Sequence, residues 1–142
     1  MKKLDILCIE DNEDFCFFMS KAIESMELSL AYDIIMEGEQ AIAVLKEESE
    51  QFVKPKIILL DLNLHDISGM EILKSIKESN KLSSIPVIIL STSDNPQDVA
   101  QALYLGANAF VSKPASFAKL KSFVEDCCNF WLKYNHTSLK TA

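Results

Sequence analysis

Five polar residues spread along the chain could do chemistry together if the fold brings them to one place. They are two adjacent acids, a third acid, a serine and a lysine: Glu10, Asp11, Asp61, Ser91 and Lys113. Carboxylates that share a site repel one another, so such a cluster either takes up a proton or binds a cation. An all-oxygen set without histidine or cysteine favours a hard ion such as Mg²⁺. A lysine and a hydroxyl beside that ion could bind a phosphoryl group while a carboxylate attacks it in line.

Asp61 ends the most apolar stretch of the chain, the sequence Lys-Ile-Ile-Leu-Leu-Asp at residues 56–61. A short, continuous apolar run predicts a strand that is buried on both faces, as in parallel sheets. In such sheets the functional residues lie just past the carboxyl ends of the strands. The question for the rest of the chain is which other strands end beside Asp61.

The remaining elements alternate between strand and helix. Further strands are predicted at Leu4–Ile9, Leu28–Met36, Pro86–Leu90 and Ala109–Ser112. Helices follow each strand, including one that begins at Asn95-Pro96 and stops near Gly106, and a long last helix from a Ser116 cap to about Tyr134. Residues Glu47–Lys56 are predicted to form a charged loop.

This alternation predicts an α/β fold: a doubly wound, five-stranded parallel sheet covered by five helices. In one common order the strands lie 2-1-3-4-5, with the switch point between the first and third strands. That order places Glu10 and Asp11 beside Asp61, and Ser91 and Lys113 on its other side. All five side chains would then face one crevice.

Composition narrows the class of protein. The 142 residues predict one domain over residues 1–135 and a loose tail over residues 136–142. A net charge of −7 argues against nucleic acid or an anionic membrane as a partner. The sequence has no signal peptide or membrane-spanning run, so we expect a cytoplasmic protein. Its four cysteines lack metal or redox spacing and are expected to be buried.

The site residues together resemble a known family, the receiver domain of two-component response regulators, over residues 4 to about 132. The resemblance rests on Glu10-Asp11, on Asp61 with Gly69 eight residues later, on Ser91-Thr92 and on Lys113-Pro114. It implies a flavodoxin-like (CheY-like) fold. It also implies that the protein signals by contact or phosphorelay rather than acting as an enzyme on a metabolite.

The resemblance also assigns roles at the metal site. Asp61 would accept a phosphoryl group from a sensor histidine kinase or a histidine phosphotransfer protein. Mg²⁺ would be bound by Asp11, Asp61 and the backbone carbonyl of Asn63, with Glu10 acting mainly through a water. Lys113 would pair with the phosphate, and its bond to Pro114 would be cis.

Two further residues, Ser91 and Phe110, would report phosphorylation by biasing the face formed by the fourth helix, fifth strand and fifth helix between two states. That face could form a homodimer. The apolar last helix, with Phe130 and Trp131 near its end, resembles standalone regulators that partner phytochrome-type kinases.

Simpler interpretations remain open at this stage. Taken singly, Ser91 could satisfy a loop, Phe110 could be a core aromatic, and His65, which stands where the family usually has proline, is expected to face solvent. The chain could be a receiver that acts only as a phosphorylation-independent interaction module. The motif Asp61-Leu62-Asn63 could serve a phosphatase, and a flavin-binding module shares the predicted fold.

Overall fold

The structure, a computed structural model, describes residues 2–46 and 53–137. Within these ranges five strands alternate with five α-helices. The strands are β1 (Lys2–Ile9), β2 (Tyr32–Ile35), β3 (Val53–Asp61), β4 (Val87–Ser91) and β5 (Ala109–Ser112). The helices are α1 (Glu13–Glu24), α2 (Gly38–Leu45), α3 (Gly69–Glu78), α4 (Pro96–Tyr104) and α5 (Phe117–Cys127). A π-helical segment, Cys128–Tyr134, continues α5.

The strands form one parallel sheet in the order β2-β1-β3-β4-β5. This confirms the predicted doubly wound fold with its switch point between β1 and β3. The register pairs Ile9 with Leu60, Asp61 with Leu90 and Ser91 with Ser112. Because the strands are parallel and in this register, β1, β3, β4 and β5 end at the same edge of the sheet.

The central strand β3 is buried on both faces, as its apolar run predicts. Ile58 and Leu60 pack into one core cluster with side chains of α2, α3 and α4. Ile57 and Leu59 pack into a second cluster with side chains of α1 and α5. Full burial of such a side chain contributes about 1.5–3 kcal/mol, so β3 fixes both layers of helices on the sheet.

Helix boundaries follow the capping residues that the sequence offers. The Asn95 side chain accepts the Gln97 N–H with Pro96 in the first turn, and Ser116 accepts the Lys119 N–H. Gly106, at φ 108°, follows the end of α4 in the left-handed region that glycine favours. These predicted starts and this predicted stop are confirmed.

Two sequence-based boundaries were wrong. The second strand was expected from Leu28, but β2 begins at Tyr32, where pairing with β1 begins, and Leu28 is exposed. The charged loop was expected to run to Lys56, but β3 already begins at Val53, which pairs with Lys2. The part of that predicted loop at residues 47–52 lies outside the described residues.

The last helix also differs from its prediction. An α-helix to Tyr134 was expected, but α5 ends at Cys127 and the chain continues in π-helical winding, with Asn135 N donating to Phe130 O at 2.8 Å. The changed winding accompanies burial of two consecutive residues, Cys127 and Cys128. Phe123 packs against the core, whereas Phe117 and Phe130 are exposed.

The four cysteines are buried, as expected. Burial raises the pKa of the Cys127 thiol to about 12. In the described part of the chain, no helix combines the length and apolar character needed to cross a membrane.

Candidate functional site

A pocket of about 380 Å³ opens at the carboxyl edge of the sheet. Its walls come from the ends of β1, β3 and β5 and from the loops that follow β1, β3 and β4. The lining residues are Glu10, Asp11, Asn12, Glu13, Asp61, Asn63, His65, Thr92 and Lys113. Four of these nine are the three acids and the lysine that the sequence singled out, so four of the five predicted side chains share one crevice.

Three carboxylates meet at the floor of this pocket. One oxygen from each of Glu10, Asp11 and Asp61 lies within 4.8 Å of the others. Glu10 and Asp61 are buried, and Asp11 is partly buried. The strand order explains the cluster. β1 and β3 are neighbours, and Glu10 and Asp11 directly follow the last residue of β1.

Lys113 reaches the same cluster from the end of β5. Its ammonium lies 2.5 Å from Glu10 Oε1 and 3.6 Å from Asp61 Oδ2. The Phe15 ring of α1 packs against this ammonium, 4.6 Å from its centroid, in a cation–π contact. The backbone N–H of Lys113 also donates to Ser91 O at 2.8 Å, which ties β5 to β4 beside the pocket.

Glu10 is the acid most perturbed by this environment. Burial raises the pKa of its carboxyl, and the neighbouring Asp61 charge raises it further, while the hydrogen bonds from Lys113 and from Asn12 N–H oppose the shift. A raised pKa means that the charged form of Glu10 is short of compensation. Among the described residues, its buried Oε1 makes no hydrogen bond beyond the ion pair with Lys113.

These residues fit a divalent cation. Three carboxylates face one ammonium, which leaves an excess of about two negative charges, and the donor atoms are all oxygens. Hard ions such as Mg²⁺ take oxygen ligands and keep several waters, which an open pocket allows. Glu10, Asp11 and Asp61 would hold such an ion, and its charge would compensate the buried acids.

The Asp61 carboxylate is held by the loop that follows it. Asn63 N–H donates to Asp61 Oδ1 at 3.2 Å, and Gly69 N–H donates to Leu62 O at 3.0 Å. A Cβ on Gly69 would lie 2.5 Å from Leu62 Cα, so the start of α3 packs against the Asp61-Leu62 backbone in a way that glycine alone permits. Asn63, predicted to offer its backbone carbonyl to the metal, lies on the pocket wall.

The two predicted switch residues lie outside the pocket lining. Ser91 is fully buried, and its Oγ accepts the Ser93 N–H at 3.1 Å. Phe110 is partly buried against the core cluster of α2, α3 and α4. The residue that lines the pocket at the end of β4 is Thr92.

The Lys113–Pro114 bond is not cis, because every peptide bond of the described residues is trans. This expectation came from the resemblance and is wrong for this structure. The trans form of an X–Pro bond is favoured by only about 0.5–1 kcal/mol, so the identity of the residues does not fix the isomer.

His65 is the site residue that the sequence reasoning missed. It was expected to face solvent, and its side chain is 92% exposed. Its backbone N–H nevertheless donates to Asp11 Oδ2 at 2.8 Å, and its ring Nδ1 contacts the same oxygen. The available signal was its position, four residues after Asp61 in the loop that borders the pocket.

Comparison with known proteins agrees with this geometry. A family model described as the response regulator receiver domain matches residues 6–125. FilR2 of Methanothrix harundinacea, a probable methanogenesis regulatory protein, is 33% identical over 93% of this chain and 86% of its own length.

Two response regulators from cyanobacteria are similar in sequence and structure. Response regulator Rcp1 of Synechocystis is 32% identical over 90% of this chain and 88% of its own length. The structure of its Mn²⁺-bound form gives a TM-score of 0.85 and covers 96% of this chain and 99% of that one. The structure of phosphorylated RcpA, a cyanobacterial phytochrome response regulator, gives a TM-score of 0.89 at 32% identity and covers 96% and 98% of the two chains. The chain therefore belongs to the response regulator receiver domain family.

Proposed function

We propose that Asp61 accepts a phosphoryl group from a phosphorylated histidine of a sensor kinase or phosphotransfer protein, in a reaction that requires Mg²⁺. The observation that carries the proposal is the grouping of a buried Asp61 with Glu10, Asp11 and Lys113 in one open pocket. A relative of known structure has been solved in a phosphorylated form and another with Mn²⁺, which supports this chemistry for the family fold.

In the proposed reaction an Asp61 carboxylate oxygen attacks phosphorus. A P–O bond to Asp61 forms as the P–N bond to the donor histidine breaks, and the electron pair of that bond leaves with the imidazole nitrogen. Mg²⁺ would supply positive charge for the phosphoryl oxygens. The Asn63 N–H limits rotation of the Asp61 carboxylate, and Lys113 turns from Glu10 to pair with the transferred group.

The signal would then leave by protein contact. A phosphoryl group on Asp61 would draw the buried Ser91 hydroxyl towards it, and Phe110 would follow, which changes the face formed by α4, β5 and α5. Large apolar side chains are exposed on α4, at Leu103 and Tyr104, and on the π-helical segment that continues α5, at Phe130 and Tyr134. We propose that a second copy of the chain packs here. A cytoplasmic location and the absence of activity on a metabolite stay predictions.

The test is intact mass after incubation with MgCl₂ and acetyl phosphate, and separately with a phosphorylated histidine kinase. We expect the mass of one added phosphoryl group in the native chain and none in Asp61→Asn or in excess EDTA. An equal mass increase in Asp61→Asn would disprove the acceptor assignment. No increase with any donor would favour an interaction module that works without phosphorylation, and sustained turnover of a phosphate ester would favour the phosphatase alternative.

A further inference from the structure

We propose that His65 is a positioning residue that holds Asp11 in the orientation the cation needs, and so sets the Mg²⁺ affinity of the pocket. This inference rests on the proposed function, which supplies the cation. It concerns the segment between β3 and α3, residues 62–68, which we call the β3–α3 loop.

His65 contacts one oxygen of Asp11 twice. Asp11 Oδ2 accepts the His65 backbone N–H at 2.8 Å and is also contacted by the His65 ring Nδ1. The hydrogen bond and the ring contact on this one oxygen together restrict rotation of the Asp11 carboxylate. Asp11 also offers one carboxylate oxygen to the shared acidic site, so its orientation decides how that oxygen is presented to a cation.

Contacts of this kind affect how well a carboxylate binds a metal. Carboxylates that bind metals are oriented by hydrogen bonds from residues that do not touch the metal, and loss of these partners commonly weakens binding about 10–100-fold. Asp11 is only partly buried and follows the end of β1. Without the His65 contacts, the Asp11 side chain would be freer to rotate away from Glu10 and Asp61.

The residue type at position 65 decides which of the two contacts can form. Proline would remove both the backbone N–H and the ring. Alanine at position 65 would remove the ring alone. The two substitutions therefore separate the two contacts on Asp11 Oδ2.

The loop that presents His65 is itself anchored on its far side. The next residue, Asp66, accepts the N–H groups of Gly38 and Glu39 at 3.1 and 2.9 Å at the start of α2. A Cβ on Gly38 would meet Ile72 Cδ1 at 2.8 Å, so α2 lies tightly against α3 at this point. The β3–α3 loop thus bridges the acidic site, through His65, and α2, through Asp66. Each of these two contacts can be weakened separately.

The test measures Mg²⁺ affinity by isothermal titration with MgCl₂ and no phosphodonor, for the native chain, His65→Asn, His65→Ala and His65→Pro. We expect His65→Asn, which keeps the backbone donor and adds a side-chain amide, to bind close to the native affinity. His65→Ala should bind several-fold more weakly, and His65→Pro about tenfold more weakly or worse.

Asp66→Asn is the matched control, because it weakens the other anchor of the same loop without touching Asp11. If His65 acts on Asp11, Asp66→Asn keeps the native Mg²⁺ affinity. A second readout without metal is amide exchange in EDTA: the residue-65 N–H should exchange slowly in the native chain and in His65→Ala, and faster in Asp11→Ala.

Three results would overturn the inference. They are native affinity in His65→Pro, an equal loss of affinity in Asp66→Asn, and unchanged exchange of the residue-65 amide in Asp11→Ala. Phosphorylation of Asp61 in the mass experiment would still stand in each of these cases. A native chain that binds no Mg²⁺ would instead contradict both this inference and the proposed cation.

Discussion

The ammonium of Lys113 lies 2.5 Å from the buried Glu10 Oε1, closer to this acid than to the proposed acceptor Asp61 at 3.6 Å. Without a metal the lysine therefore compensates the acid that is most desolvated. In the proposed function a cation would take over that compensation, and the lysine would then be free to pair with a phosphoryl group. One side chain thus serves the resting site and the proposed reaction in turn.

Replacing Lys113 by alanine should separate these two roles. We expect phosphorylation of Asp61 by acetyl phosphate to slow about a hundredfold or more, because a charged donor to the transferring group is lost. Mg²⁺ affinity should be retained or rise, since the competing positive charge is gone. Rates come from intact mass and affinity from titration, with the exposed Lys119→Ala as control. An unchanged rate would contradict the role given to Lys113.

Mg²⁺ should stabilise the fold through the acidic cluster. At an ion concentration a hundred times the dissociation constant, binding adds about 2.7 kcal/mol, which raises the melting temperature by roughly 2–4 °C for each kcal/mol. The shift, measured by thermal unfolding in MgCl₂ against EDTA, should vanish in Asp11→Asn and in Asp61→Asn. It should persist in Glu78→Gln, which removes an exposed acid at the far end of α3. A shift that survives in Asp11→Asn would place the ion elsewhere.

Gly69 should tolerate no side chain. In Gly69→Ala the new Cβ would lie 2.5 Å from Leu62 Cα, so the backbone of α3 or of Asp61-Leu62 would have to shift. We expect a loss of about 1–3 kcal/mol in the free energy of unfolding, the range for an overfilled core. Urea unfolding measures this loss, with the exposed Lys74→Ala in the same helix as control. Native stability in Gly69→Ala would show that α3 can shift away from β3.

The stability that Asp66 contributes should depend on pH. Hydrogen bonds from Glu39 N–H and Gly38 N–H lower the pKa of the Asp66 carboxyl below its ordinary value of 3.8. A group whose pKa is lowered by folding stabilises the protein above its unfolded pKa, and that contribution is lost as the pH falls through the folded pKa. The native chain should therefore exceed Asp66→Asn in stability at pH 7.

The difference in stability between the native chain and Asp66→Asn should shrink as the pH falls through the pKa range of an ordinary aspartate and below it. Urea unfolding of both proteins from pH 7 downward measures it, and the comparison removes the effect of the other titrating groups. A difference that stays constant over this range would mean that the charge of Asp66 contributes nothing.

The sheet order and the meeting of the acids could be predicted because both follow from strong local signals. The apolar run that ends at Asp61 is typical of a strand buried on both faces, and one doubly wound order then brings Glu10 and Asp11 beside it. The sequence marks the beginning and end of a strand less clearly than the strand itself. β2 is an edge strand, so its length depends on pairing with β1 rather than on its own composition.

The contact between His65 and Asp11 could not be predicted, because it depends on the conformation of a loop rather than on a pattern. From its residue type alone, His65 was expected to face solvent. The direction of its backbone N–H follows from how Asp66 and Gly69 anchor the β3–α3 loop, and these are tertiary contacts. The trans Lys113–Pro114 bond is a similar case, since a small free-energy difference decides it.

The proposed homodimer should depend on the aromatic side chains exposed on α4 and after α5. Tyr104 is 89% exposed, and Phe130 is 55% exposed. Burying both between two copies would remove large apolar rings from water, so we expect light scattering in MgCl₂ and acetyl phosphate to give twice the chain mass. The double substitution Tyr104→Ser with Phe130→Ser should give the mass of one chain.

Phe17→Ser, which replaces an aromatic on α1 that is as exposed as Phe130, should leave the dimer intact. If Phe17→Ser alone dissociates it, the two copies meet through α1, and a single-chain mass for the native protein at every concentration would contradict the dimer.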